Sequence, residues 1–195
     1  MFLFTYLSIN NLYDFHFYIL DGDIMLLKFT RYDDINEKKL MEVYIESNTE
    51  NTAFICPGEK NQEKALKFVE KGFLNFLKSM FFTSEENTYW VLADKNKYLC
   101  ACRTTEIRKG FYYLEALETI PDERNKGYGT KLLTFVTQEL KKEEPFKLCS
   151  CVGKSNTLSL KTHQKCGFRI ISDIGINYIT DEPESRSYSL EYKYE

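Results

Sequence analysis

The residues that can do chemistry are concentrated between 115 and 168. The run from Leu117 to Leu133 reads as the end of a strand, a polar loop and the start of a helix, and it carries the spacing Arg124-x-x-Gly127-x-Gly129. Such a loop aims several backbone N–H groups one way, and a helix N-terminus adds partial positive charge, so together they can cradle a pyrophosphate. Gly127 and Gly129 keep side chains out of the approach, and Arg124 and Lys126 bring charge nearby. No Lys-Ser or Lys-Thr follows the last glycine, which excludes a Walker A loop, and G-x-G-x-x-G is absent. The same spacing also suits an ordinary glycine turn ahead of a helix.

The elements that must hold this loop follow from periodicity. A strand is expected over 24–32, then a helix from Asp34 to about 47, with Glu37 three residues after Asp34 as an Asp form of the capping box. Residues 48–60 read as a polar loop ending in Pro57-Gly58, and 61–80 as a helix with Leu66, Val69, Phe73, Phe76, Leu77 and Met80 at the 3.6 period. Three strands over 89–93, 98–106 and 111–119 are joined by short turns and form an antiparallel meander. A helix over 127–143 crosses to a strand at 146–152, which makes that connection a parallel one. A helix over 155–166 stopped by Gly167, and strands over 168–176 and 188–194, complete the order β-α-α-β-β-β-α-β-α-β-β. The fold class is α/β (α+β), a twisted, mostly antiparallel sheet of about seven strands with about four helices.

Composition narrows the function classes. The chain has 195 residues, 43% hydrophobic and 28% charged, which suits one globular domain. A net charge of −3 gives no basic excess for nucleic acid. The apolar opening, residues 1–20, is interrupted by Asn10, Asn11, Asp14 and His16, so it suits neither a signal peptide nor a membrane span. Residues 1–24 are an extension or a mis-assigned start before Met25, and 25–195 are the domain. Six cysteines without a secretory signal read as reduced thiols in a cytoplasmic protein. Cys100 with Cys102, and Cys149 with Cys151, sit at alternate strand positions in apolar runs, a pattern of buried thiols rather than metal ligands.

With these residues in view, the chain resembles the GNAT superfamily of N-acetyltransferases. Arg124-x-x-Gly127-x-Gly129 resembles its [Q/R]-x-x-G-x-[G/A] signature, and the run from Leu114 to Pro121 resembles its fourth strand. The block from Asn156 through Ser159 and His163 to Gly167-Phe168 resembles a second family pattern, with His163 where the family often has Tyr. The resemblance spans about 25–195, with the sharp motifs confined to 114–168. It implies acetyl-CoA as co-substrate, no metal, and a sheet splayed between its fourth and fifth strands to admit the pantetheine arm. It further implies that Arg124, Asn125, Lys126, Gly127, Tyr128, Gly129 and Thr130 hold the pyrophosphate. Leu117 and Thr119 are then the strand edge that pairs with pantetheine, and Asn156 and Ser159 contact the cofactor from the last helix. Asn156 is equally placed to cap that helix.

The implied reaction is direct attack of a primary amine on the thioester in a ternary complex. It needs a polarised carbonyl, a base and an acid for the leaving thiolate. Strand alternation puts Glu115 on one face with Tyr113, Leu117 and Thr119, and Glu118 on the other, so Glu115 is the expected base. His163 is the expected acid. An acetyl-cysteine route through Cys166 is the minor enzymatic alternative. A non-catalytic acyl-CoA sensor or scaffold is the alternative from another class. The partners are acetyl-CoA and an amine, small or peptidic, with no nucleic acid or membrane, and a homodimer stays open.

Overall fold

A computed structural model of the chain describes residues 16–19, 24–142 and 144–195. What was expected of residues 1–15 and 20–23 lies outside the described residues. Apolar alternation builds a sheet in the order β1-β2-β3-β4-β5-β6-β10-β7. Its strands are β1 (His16–Ile19), β2 (Met25–Phe29), β3 (Asn87–Ala93), β4 (Tyr98–Arg108), β5 (Phe111–Thr119), β6 (Phe146–Gly153), β7 (Arg169–Ser172) and β10 (Ser187–Tyr194). β5 and β6 run parallel, and the other neighbours are antiparallel. β1 lies ahead of the expected domain and extends the edge beside β2.

The helices α1 (Glu37–Val43), α2 (Ile45–Ile55) and α3 (Gln62–Ser79) cover one face, and α4 (Tyr128–Leu140) and α5 (Thr157–Lys165) serve the other. Each face has its own core. Leu40, Val43, Tyr44, Leu77, Phe81, Tyr89 and Ala101 pack under α1–α3. Leu132, Leu133 and Val136 of α4 pack on Trp90, Cys100, Cys102 and Leu114. The thiols at 100 and 102 are thus buried together on one face, as their spacing requires.

Three local expectations are corrected. Asp34 ends a single 3-10 turn, and the cap of α1 is Asn36, whose side chain accepts from the Lys39 N–H at 3.0 Å. Residues 48–55, expected as loop, are helical in α2. That helix buries the polar Asn48 and Thr52 while exposing Phe54 and Ile55, so it has no apolar stripe for periodicity to detect. The strand expected over 168–176 ends at Ser172, and a separate hairpin, β8 (Gly175–Asn177) with β9 (Glu182–Glu184), follows. Gly175 is needed there, since a Cβ would sit 2.4 Å from Cys151 Sγ.

The feature that shapes the site is a bulge in β5. Arg103 pairs with Glu115 and Ala101 with Glu118, so three residue steps on β5 match two on β4. Ala116 supplies the extra residue, in the left-handed region at φ 52°. Its carbonyl accepts from the Tyr44 hydroxyl at 2.7 Å, and that hydroxyl accepts from Tyr89 at 2.8 Å. The bulge overturns the expected alternation: Glu115 shares its face with Tyr113 and Glu118, while Leu117 and Thr119 turn to the α4 side. Because a β-branched residue fits that region badly, Ala116→Val is expected to lose at least about 1 kcal/mol in denaturant unfolding. Ala116→Gly is expected to stay within about 1 kcal/mol of the parent, relief of strain being offset by greater unfolded-state freedom.

Candidate active site

β5 and β6 pair only from Phe111↔Lys147 to Leu114↔Ser150. Beyond Leu114 the two strands part, leaving the backbone of 115–119 unpaired on that side. The opening is a cleft of about 660 Å³, floored by the ends of β5 and β6 and walled by α2, α5 and the first turn of α4.

The glycine loop enters α4 through two left-handed residues, Asn125 at φ 63° and Gly127 at φ 81°, the latter as N-cap. Gly127 therefore meets a backbone requirement. The first turn of a helix leaves its N–H groups without helical acceptors, so Tyr128, Gly129 and Thr130 present donors at the cleft. Gly129 has an ordinary φ; a Cβ on it would meet Thr162 Cγ2 at 3.4 Å and Thr119 Oγ1 at 3.7 Å. It lets α4 begin close against both α5 and the end of β5.

Of the residues expected at the site, Glu115, Leu117, Thr119, Arg124, Asn125, Gly127, Tyr128, Gly129, Thr130, Asn156, Ser159 and His163 all line this cleft. Lys126 does not; its ammonium is drawn 2.6 Å from Glu123 instead. Arg124 lines the cleft but is bound to Glu46, and its Nε donates to the Thr119 carbonyl at 3.3 Å. Asn156 caps α5, accepting from the Ser159 N–H at 3.0 Å.

Two carboxylates stand on the α2 side. Glu115 is held by Arg103, with Nε 3.3 Å from Oε2, and that guanidinium lies 5.0 Å from the Phe76 ring centroid and 5.7 Å from that of Phe81. Among the described residues no such cation is seated on Glu118. Burial raises its carboxyl above the usual range, and Glu46 and Glu50 add to this, while the Ser47 hydroxyl and Arg124 oppose it. Sequence alternation set Glu118 aside, and the signal that could have recovered it was a bulge that Ala116, unlike a glycine, does not advertise.

His163 is almost fully buried, at 1% exposure, with its ring edge against Phe168. Nδ1 lies 2.8 Å from the Ser159 carbonyl oxygen, which can only accept, so Nδ1 carries the proton. Among the described residues Nε2 is a buried lone pair with no partner, which costs about 1–3 kcal/mol when nothing donates to it. Burial also pushes the imidazole below the usual histidine range, partly offset by the Ser159 bond. The expected acid role needs a proton on Nε2 that this tautomer lacks. The Cys166 thiol donates to the Thr130 carbonyl at 3.5 Å, and burial raises it, so it is a poor nucleophile.

The Acetyltransferase (GNAT) family profile matches residues 39–168, more than half of the chain. The chain belongs to the GNAT acetyltransferase family. Solved structures share the fold. The PaiA N-acetyltransferase of Thermoplasma acidophilum, in complex with coenzyme A, is 18% identical over 87% of this chain and 99% of its own, with a TM-score of 0.58. The IAA acetyltransferase of Bacillus cereus is 16% identical over 88% and 99%, with a TM-score of 0.55. The N-acetyltransferase PseH of Campylobacter jejuni, in complex with acetyl coenzyme A, is 17% identical over 88% and 99%, with a TM-score of 0.51. No curated protein matches the sequence.

The parting of β5 from β6 and the α4 N-terminus open on one cleft, and Gly129 lies where they meet. Gly129→Val is expected to push α4 off Thr162 and Thr119 and to weaken acetyl-CoA binding at least about tenfold, or about 1.4 kcal/mol. Calorimetric titration of the folded variant measures this, and an unchanged dissociation constant removes the loop from cofactor binding.

Proposed function

We propose that the chain transfers the acetyl group of acetyl-CoA to a primary amine by direct attack in a ternary complex. The observation that carries this is the cleft in which a half-buried carboxylate, Glu118, faces the gap between two parted parallel strands that ends on a helix N-terminus. Pyrophosphate would rest on the N–H groups opening α4, and pantetheine would run along the unpaired edge of β5 beyond Leu114. The free strand edge of β5 beyond Leu114 offers polar backbone groups that such a ligand would satisfy. Backbone N–H groups between the bulge and Thr119 would polarise the thioester carbonyl. The engaged Cys166 thiol favours direct attack over an acetyl-cysteine route. Six free cysteines are in keeping with a cytoplasmic setting, and no helix among the described residues is long and apolar enough to cross a membrane.

Glu118 takes the role of base in this proposal. An amine reaches the site as ammonium, drawn by Glu46, Glu50 and Glu118, and must lose a proton before attack. A carboxylate raised above the ordinary range is a better base, and Glu115 is already engaged by Arg103. Because Glu118 works ionised, the acid limb of the rate lies above its ordinary value of 4.5. An acceptor panel read by release of CoA thiol tests the transfer; binding of acetyl-CoA without release for any amine supports a binding module instead. With an active amine, Glu118→Gln is expected to cut kcat about 10²-fold near neutral pH, the loss shrinking in base as free amine becomes abundant. Glu115→Gln is expected to lose only a few-fold in kcat, because its carboxylate is engaged by Arg103 and takes no part in the proton transfer. A Glu118→Gln profile that superimposes on the parent after scaling removes Glu118 from the role.

A further inference from the structure

The hydroxyls of Tyr44 and Tyr89 lie inside the apolar layer between the sheet and α1–α3. Both rings are buried among others. Tyr44 stands edge-on to Phe73 with centroids 5.3 Å apart and Tyr89 edge-on to Phe81 at 5.9 Å, so phenylalanine would fill either place. A hydroxyl taken from water into such a core costs free energy unless it is hydrogen-bonded. Here both are, in one line. A carbonyl oxygen can only accept, so Tyr44 donates to Ala116 at 2.7 Å and Tyr89 donates to Tyr44 at 2.8 Å. The line ends on the residue that breaks the alternation of β5 at φ 52°. Resting on the transfer reading above, in which Glu118 is the base, we propose that Tyr44 is a positioning residue for the reaction: its bond to the Ala116 carbonyl selects the face of β5 on which Glu118 stands.

The selection follows from the period of a strand. Successive side chains of a regular strand point to opposite faces. Leu114 packs with Leu132 and Val136 on the α4 side, so in an unbulged strand Glu118, four residues on, would take that side too. The extra residue reverses the parity and puts Glu118 beside Glu46, Ser47 and Glu50 of α2. Ala116 carries a Cβ and so favours the extended form over the left-handed one. The Tyr44 bond opposes that preference. A planar peptide swings its carbonyl with the backbone, so a return of Ala116 to extended φ takes the oxygen away from Tyr44 and leaves a buried hydroxyl without its acceptor. Tyr89, bonded to the Tyr44 oxygen from behind, holds the phenol in that direction.

The groups that face Glu118 are Glu46 and Glu50 of α2, the Ser47 hydroxyl, Arg124 of the glycine loop, Tyr44 at the helix break, Tyr89 on β3 and Cys100 on β4. Burial raises both phenols and the thiol, so these three stay neutral over the range in which the rate is measured. The charges that vary or act there belong to Glu118 itself and to Glu46, Glu50 and Arg124. Tyr44 thus affects the reaction through where Glu118 stands and not through a proton of its own.

A mutant cycle of Tyr44→Phe, Glu118→Gln and the pair tests this, with rates measured on an amine that the acceptor panel finds active. Tyr44→Phe is expected to keep the acetyl-CoA dissociation constant within about threefold, which also shows that it is folded. It is expected to cut kcat at least about tenfold near neutral pH, the loss shrinking in base as free amine no longer needs Glu118. The pair should be slower than Glu118→Gln by no more than about twofold, because the first change acts through the second. Tyr89→Phe leaves the bond to Ala116 in place and should lose less than Tyr44→Phe. If Tyr44→Phe does not fold, Tyr89→Phe takes its place in the cycle, with a loss of about threefold expected that again disappears beside Glu118→Gln. Losses that multiply in the pair, or a Tyr44→Phe loss that is the same at every pH, overturn the positioning role and leave the transfer reading intact. Full activity of Tyr44→Phe does the same. Full activity of Glu118→Gln overturns the base assignment together with the positioning role, and no turnover by wild type with any amine removes both along with the transfer reading.

Discussion

The site depends on one hydrogen-bonded chain in which the Tyr89 hydroxyl donates to Tyr44 and Tyr44 donates to the carbonyl of Ala116. Both tyrosines are buried, and burial raises both phenols, so the hydroxyls stay protonated at any physiological pH. A buried carbonyl turned out of its ladder must find a donor or cost free energy. Tyr44 supplies it from the break between α1 and α2, where the chain has turned inward. The bulge is therefore a product of two layers, the helical cover and the sheet, and neither forms it alone.

From that bulge the rest follows. The extra residue re-aims Glu118 toward α2, turns Leu117 and Thr119 toward α4, and leaves β5 beyond Leu114 unable to continue its pairing with β6. β6 keeps its full ladder with β10, from Phe146↔Tyr194 to Gly153↔Ser187, so it is β5 that carries the irregularity. The freed strand runs directly into the glycine loop, and Gly129 allows α4 to start in van der Waals reach of Thr119 and Thr162. A strand edge, a helix N-terminus and the α5 wall meet within one cleft because of that close start.

The charges divide the cleft. Glu46, Glu50, Glu115 and Glu118 give its α2 side a negative sign, while Lys161 and Lys165 stand on the α5 side beside the helix N-terminus. Arg124 joins the halves through its pairing with Glu46 and its bond to the end of β5. Such pairs near solvent add little stability, so their effect is on the orientation of the loop and the field in the cleft. An ammonium and a phosphate would thus be drawn to opposite ends of the same opening.

The sequence by itself determined the three-strand meander, the apolar faces of α3 and α4, the parallel crossover and the glycine loop, because each is a local pattern of period or of backbone freedom. It brought Thr119, Arg124, Gly127, Gly129, Asn156 and His163 to one place through two motifs, and the fold assembles them around one cleft. Tertiary structure alone decided which glutamate turns with which neighbours, since a bulge at an alanine has no local signature and exists only where Tyr44 can reach it. It decided that 48–55 is helix, because that helix is held through buried Asn48 and Thr52 rather than an apolar stripe. It also decided the tautomer of His163, because the proton on Nδ1 is fixed by the Ser159 carbonyl one turn back and by the burial around the ring, and a residue letter specifies neither.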